Sequence, residues 1–449
     1  MWRRVARTAR IQTMGARGDA VLDEADLRME WLQFRSRLYD TLTGLPTLPA
    51  LVEDLRRAIE AGGSAHVVYL DLGRSGWQET QLGWESYDDA VREFARVLGS
   101  CRDDGTLGER DLACVDTVRS DRFLVFLGGV AGDSLAQALR RADERRKALV
   151  TRLRGALASA RAGSLLHAVR LTEGHAHCQH DPMVRVERAI QQAVTDAMMM
   201  SLLQRQTIEA VRLEELARLI AEGSVRSVYH PIVRLTDLAT VGHEALTRPI
   251  GGVPFDSVED LFAFAEATEL AMEFEVLCRG EAIKGAGAVK NRGLLFLNAS
   301  ARAVEDPQWS SRALDDLLAQ NGLTPHDVVV EITERVGIER QDSFQKALAT
   351  FKSRGYRVAV DDVGAGHASL KALASIQPDF LKFDVSLVRG IDRSRIKQGL
   401  VESLRMLADR MNARVIAEGV EREEERARLV DLGVELGQGY LFHREDHQN

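Results

Sequence analysis

Residues 357–366 read RVAVDDVGAG. An apolar run of strand type ends in two adjacent aspartates, Asp361 and Asp362, and Gly364 and Gly366 follow at once. Neighbouring carboxylates repel each other, so a fold that keeps both needs a positive partner for them. The same grammar repeats on either side of this stretch. Upstream come SVYHPIVRL, VGHEALTR, GLLFLNAS and DVVVEIT, and downstream come FLKFDVSLV, RVIAEGV and GQGYLF. Amphipathic segments separate most of these runs: SVEDLFAFAEA, MEFEVLCRGEAIKGA, SRALDDLLAQNG, SFQKALATFKSRG, IKQGLVESLRMLADRM and EEERARLVDLG. Strands rich in Val, Ile, Leu and Phe that alternate with helices predict parallel pairing under helical cover. Roughly eight such units from about residue 225 onward predict an α/β fold closed as a TIM-like (β/α)8 barrel.

The polar residues of this half stand in a shared position. Glu244, Asn298, Glu331, Asp361, Lys382, Glu418 and Gln438 each fall at or near the carboxy-terminal end of a different predicted strand. A barrel gathers those ends at one mouth, whereas solvated surface residues would fall on helix faces. A site with four or more oxygen donors and no cysteine suits a hard divalent cation, Mg2+ or Mn2+. Two metals sharing a carboxylate commonly support in-line attack of water on a phosphodiester, and the glycines after Asp362 permit a mobile loop beside them.

The bulk properties set the class. The 449 residues suggest two or three domains, and 45% apolar with 28% charged residues describes an ordinary soluble chain. A formal net charge of −8 argues against general affinity for nucleic-acid polymers. Cys101, Cys114, Cys178 and Cys278 lie far apart with no CxxC pair, which fits a reducing cytoplasm. No apolar run is long enough to span a bilayer. Residues 1–30 begin MWRRVARTAR, basic but without an apolar stretch behind, and are read as a flexible arm rather than a secretory signal. Residues 183–222 carry apolar positions at helical spacing without proline and predict one long connecting helix, in which MMMSLL is read as core or dimer packing. Residues 173–182, EGHAHCQHDP, bring three histidines and Cys178 together, but their alternating spacing fits no standard zinc site and is read as a polar loop.

From residue 206 to the end, the chain resembles the EAL-domain cyclic di-GMP phosphodiesterases. HEALTRP, LFLNAS, VVVEITER, VAVDDVGAGHASL, FLKFD, VIAEGVE and LGQGYLF stand in that family's order and spacing. The resemblance implies Glu244, Asn298, Glu331 and Asp361 as ligands of a first metal and Asp361 with Asp362 as ligands of a second. It implies Lys382 and Glu418 as the groups that position or deprotonate the attacking water. Glu334 would brace the loop after Asp362, Arg248 would contact a substrate phosphate, and Gln438 and Glu421 would support the site. His230 departs from the family's usual glutamine, and Val363, His367 and Ala368 depart from its usual loop.

Residues 31–182 resemble a degenerate α+β GGDEF diguanylate cyclase domain. YDTLTGLPT and VVYLDLGRSGW match that family's opening motif and first metal strand. Thr47 replaces an asparagine, Gly73 the second metal aspartate and Gly76 a lysine. The signature hairpin becomes RSDRF, with Arg119 and Ser120 for its glycines and Arg122 for its glutamate, while Ala113 replaces the carboxylate of the inhibitory motif that starts at Arg110. Bulk where nucleotide must approach the backbone, and an arginine where a metal must sit, predict a domain that folds without cyclase chemistry.

Together these readings predict metal-dependent hydrolysis of cyclic di-GMP to linear pGpG, with the amino-terminal half as regulator. They also predict a homodimer through the barrel and room for a further protein partner. A non-hydrolysing cyclic di-GMP sensor is the alternative, disfavoured because such sensors often lose the first glutamate or one aspartate of the pair. An unrelated acid-rich barrel enzyme is the third.

Overall fold

In a computed structural model, residues 38–73, 84–116, 120–158, 170–304, 306–333, 341–364, 373 and 375–443 are described. The flexible arm expected at residues 1–30, Glu334, Gly76, Arg119, His367, Ala368 and most of the glycine loop lie outside these residues. The chain divides into two compact units, residues 1–210 and 211–449.

In the first unit, strands β1 (Ser64–Asp71), β2 (Leu112–Val115), β3 (Arg122–Gly128) and β4 (Thr172–Gln179) form an antiparallel sheet in the order β2-β3-β1-β4. β1 is buried along nearly its whole length because both faces are covered. Val68, Leu70 and Phe123 pack on one side with Phe94 of α2 (Trp84–Asp103) and Leu149 of α3 (Leu135–Ala158). Val67, Tyr69 and Leu124 pack on the other with Leu55 of α1 (Leu48–Gly62) and Ile190 and Ala197 of α4 (Val186–Glu222). α4 is unbroken over 37 residues and passes the boundary between the units. In MMMSLL, read as core or dimer packing, Met198 packs against this core and Ser201 is buried, while Met199, Met200, Leu202 and Leu203 are exposed. The polar-loop reading of EGHAHCQHDP is corrected. Its first seven residues lie in strand β4, paired with β1, because cross-strand hydrogen bonding overrides the weak β-propensity of Gly and His.

In the second unit, eight strands close a barrel in the order β10-β11-β12-β5-β6-β7-β8-β9. They are β5 (Val225–Arg234), β6 (Thr240–Pro249), β7 (Leu294–Asn298), β8 (Val328–Thr333), β9 (Arg357–Val363), β10 (Phe380–Phe383), β11 (Arg414–Ala417) and β12 (Leu436–Gly437). Helices α5 (Val258–Glu266), α6 (Ala271–Ala286), α7 (Arg312–Gln320), α8 (Gln341–Arg354), α9 (Arg395–Arg410) and α10 (Glu423–Asp431) alternate with the strands. One strand departs from the all-parallel expectation: β5 runs antiparallel to both β6 and β12. Only a five-residue turn separates β5 from β6, closed by the Arg234 amide to the Ala239 carbonyl and the Leu238 amide to the Arg234 carbonyl. So short a link permits a hairpin, whereas a parallel crossover needs a dozen residues or more.

The barrel interior is layered. Ile232, Phe296, Val329, Ala359, Phe380, Ile416 and Leu436, one from each of seven strands, form an apolar plug. The eighth strand contributes Gly242, where a Cβ would meet the Leu294 carbonyl at 2.6 Å and the Phe296 ring at 2.9 Å. Side chains repeat every second residue along a strand, so the next inward position is the polar one on each: Glu244, Asn298, Glu331, Asp361, Lys382, Glu418 and Gln438. Among the described residues, no helix is long and apolar enough to cross a membrane.

Candidate metal centre at the mouth of the barrel

Lys382 is the hub of the polar layer. Its side chain is 1% exposed, and Nζ lies 2.8 Å from Glu418, 3.0 Å from Glu331, 3.3 Å from Glu244 and 3.4 Å from Asp361. Burial would lower the lysine pKa, but the surrounding carboxylates, led by Asp361 and Glu244, hold it well above the ordinary value.

The carboxylates respond unequally. Glu331 is buried completely, and burial together with the Glu244 charge pushes its pKa well above the carboxylate range against the pull of Lys382. Burial also tends to raise Glu244, yet Lys382 and hydrogen bonds from Gln438 and Asn298 outweigh it and leave its pKa lowered. Gln438 Nε2 donates to Glu244 Oε2 at 2.6 Å and Asn298 Nδ2 donates to Oε1 at 3.0 Å. Glu418 is raised to about 8, by burial first, with Lys382 opposing and Asp361 and Glu244 adding to the rise.

Asp361 and Asp362 reach the same mouth by a distortion of the ladder. β9 and β10 pair Leu381 with Val360 and then Phe383 with Val363, so two residues of β9 stand opposite the single residue Lys382. This is a β-bulge. In a regular strand the two aspartates would point to opposite faces. Here Asp362 takes φ +58° and its amide donates to Asp361 Oδ1 at 3.0 Å. Aspartate tolerates the left-handed region better than most residues, which suits it to this position. Gly364, at φ +107°, completes the turn, since a Cβ there would stand 2.3 Å from Leu387 Cδ1. Oxygens of Asp361, Asp362 and Glu418 consequently gather within 4.8 Å of one another.

The donor chemistry fits divalent cations. Oε1 of the buried Glu331 carboxylate meets Lys382 Nζ at 3.0 Å, whereas its Oε2 and Gln438 Oε1 receive no hydrogen bond among the described residues. Asn298 spends its amide N–H on Glu244, which leaves Oδ1 as an acceptor. Glu244, Glu331, Asp361, Asp362 and Glu418 against Lys382 leave a formal excess of four negative charges when all are ionised. Two divalent ions match that excess, and the all-oxygen donor set selects Mg2+ or Mn2+ over zinc.

Other expected positions are less central. Arg248 lies two strand periods beyond Glu244 on β6, half-buried, with Nη1 donating to the Thr247 carbonyl at 3.0 Å. Glu421 is turned to an ion pair with Arg389 and is not drawn into the carboxylate cluster. His230 stands opposite Glu244 in the β5–β6 ladder, and its ring lies 5.4 Å from that of His443. Glu334 lies outside the described residues. The place of Glu418 beside the aspartate pair escaped the sequence reading, which cast it only as a partner of water. The bulge had a signal, since two consecutive acids end an otherwise apolar strand.

Comparison with known proteins bears on this mouth. Residues 213–445 match the family described as EAL domain. An uncharacterised protein of Mycobacterium tuberculosis (strain ATCC 25618 / H37Rv) is 28% identical over 434 residues, 90% of this chain and 66% of that protein. This chain thus spans just under two thirds of that relative. A probable cyclic di-GMP phosphodiesterase of Escherichia coli (strain K12) is 31% identical over 232 residues, 49% of this chain and 29% of its own length. Among solved structures, a standalone EAL protein from Vibrio cholerae O395 in its c-di-GMP-bound form is 27% identical with a TM-score of 0.43, over 48% of this chain and 90% of that one.

Proposed function

The chain belongs to the EAL domain family, and from that premise we propose that it hydrolyses one phosphodiester bond of cyclic di-GMP to give linear pGpG. The observation that carries the proposal is the seven-strand polar layer around Lys382, complete in every metal-ligand position at which the family resemblance places one. Glu244, Asn298, Glu331 and Asp361 would hold one Mg2+ or Mn2+, and Asp361 with Asp362 a second. The proximity of Glu418 to the aspartate pair adds it as a candidate ligand of the second ion. Such ions, when bound, lower the pKa of water and neutralise charge on the phosphate.

The protein's own groups set up the rest. Lys382 is held charged and immobile among four carboxylates, so it can orient a water and balance negative charge without moving. Burial above all pushes Glu418 up to about 8, and beside a bound cation its carboxyl would be ionised and could take a proton from that water. The water oxygen bonds to phosphorus, the bond from phosphorus to the 3′ oxygen breaks, and that oxygen leaves with a proton, so the product keeps a 5′ phosphate. Arg248 and Gln438 would steady the substrate and the site, and Glu334 the loop after Asp362. Glu421 supports the mouth only indirectly, because Arg389 holds it.

We further propose that residues 31–182 are a degenerate GGDEF domain that makes no cyclic di-GMP and regulates the barrel, which would act as a homodimer. In support, Arg122 at the start of β3 forms an ion pair with Asp71 at the end of β1, Nε to Oδ2 3.5 Å. Ser120 Oγ donates to Asp40 at 2.7 Å. A guanidinium beside the retained aspartate competes with any metal for it.

The decisive experiment incubates the full chain with cyclic di-GMP and Mg2+ or Mn2+ and follows pGpG. Product that forms with metal, stops with chelator and is lost in Glu244→Ala supports the reading. Tight binding without any product would replace it with a sensor.

A further inference from the structure

The histidine-rich segment found no use in the barrel chemistry, and the structure gives it a different meaning from a loop. His175 and His177 are two apart on β4, so both project from the same face of the sheet. His66 of β1 lies directly opposite His177 in the antiparallel register, while Val68 lies opposite His175. Three imidazoles therefore share one face of two paired strands. The ring centroid of His66 is 5.2 Å from that of His175 and 6.0 Å from that of His177.

His66 is an unusual buried residue. It is 5% exposed, and neither ring nitrogen takes a hydrogen bond within the protein. Nδ1 of His177 is also without a partner, although its Nε2 meets Gln179 Oε1 at 3.2 Å. Buried polar groups are normally satisfied, and one left open points to a ligand. His66 and His177 also line a cavity of about 20 Å³ with Ser64, Asp133 and Arg145, space enough for one water.

We propose that His66, His175 and His177 form a transition-metal site of the zinc class, with a water from the adjoining cavity in the fourth position. Two histidines two apart on a strand and a third across the ladder can offer three neutral nitrogens to one side of an ion, and imidazole suits Zn2+, Co2+ and Ni2+ rather than Mg2+. Burial and nearby Arg146 keep His175 neutral, and burial and the other histidines keep His66 neutral, as ligation requires. Arg146 is itself neutralised by Asp143 and Glu173, so it adds no unpaired charge. Among the described residues the carboxylate group at the barrel mouth is already gathered within 4.8 Å, and the histidines are more open. Ligation requires the half-buried His175 and His177 side chains to rotate towards His66, His177 releasing Gln179. A metal here would tie β4 to β1, linking the strand that precedes α4 to the centre of the first unit's sheet.

The test titrates Co2+ into the full chain with Mg2+ in excess, so that the oxygen-rich site is filled. One equivalent should produce the intense visible absorption of a four- or five-coordinate nitrogen site, and one equivalent of Zn2+ should abolish it. His175→Gln and His177→Gln, in half-buried positions that tolerate a polar side chain, should each weaken Co2+ binding at least about tenfold. His326→Gln, in the other unit, should not. Phosphodiester hydrolysis with Mg2+ should stay unchanged in the two strand variants. Absence of the absorption, absorption that survives both strand variants, or equal weakening by His326→Gln would each overturn the site.

Discussion

Asp361 in the barrel and Asp71 in the amino-terminal sheet both stand near the end of an apolar strand, and each has a cation beside it. Their surroundings differ in burial, the Lys382 side chain being 1% exposed and that of Arg122 26%. Around Asp361 one ammonium serves Glu244, Glu331, Asp361 and Glu418, so negative charge is left over. At Asp71 the partly exposed Arg122 guanidinium pairs with that carboxylate and also feels the charges of Asp121 and Asp116. A strand-end carboxylate is thus no measure of a metal site. A buried excess of carboxylates over fixed cations is, because a low dielectric gives a divalent ion its electrostatic advantage.

This contrast can be broken first at its strongest point. Glu244→Ala should lower turnover of cyclic di-GMP at least about a hundredfold, roughly 2.7 kcal/mol in the activation barrier. Near-normal pGpG production by that variant would remove the barrel mouth from the chemistry. Lys382→Met should destabilise the barrel by about 3 kcal/mol without added metal, since it strands buried carboxylates. Mn2+ should recover much of that loss in thermal unfolding. If the variant melts like the parent with or without Mn2+, the carboxylates do not depend on their cation.

A third test lies in the first unit and uses acid. His66 has its pKa lowered to about 4, by burial first and then by His175, His177 and Arg146, with Asp143 opposing. Its folded value lies below the unfolded value of about 6.5, so its contribution is complete above about pH 6.5 and is lost as pH falls towards 4. The first unit should lose up to about 3 kcal/mol over that window, and His66→Gln should flatten the dependence. An identical acid profile in parent and variant would show that His66 is not the titrating group. The smallest effect is expected for Arg122→Ala. The Asp71 pair is partly exposed, and its loss should cost no more than about 1 kcal/mol in urea unfolding. With Glu244 also substituted, so that product would survive, Arg122→Ala should still make no cyclic di-GMP from GTP and Mg2+. Accumulation would refute the degenerate-domain proposal.

Much of the barrel was legible because its information is local. In β8, Val329 and Glu331 are two apart, as are Phe380 and Lys382 in β10 and Ile416 and Glu418 around β11, so each strand carries its own apolar-to-polar step inward. The long helix over 186–222 was legible for the same reason, since helical spacing without proline is also local. Residues 173–179 were misread because glycine and histidine carry little strand preference of their own.

The sequence by itself therefore determined the barrel, the polar step at each strand end and the oxygen-rich character of the mouth, all consequences of side-chain period within single strands. Only the tertiary structure decided that β5 is antiparallel, that a bulge sets Asp361 and Asp362 opposite Lys382, that Glu421 turns to Arg389, and that His66 faces His177. Apart from the β5–β6 hairpin, whose short turn is local, each of these is a pairing between residues distant along the chain. Register and cross-strand contact arise from closure of the whole sheet, and no local period encodes them.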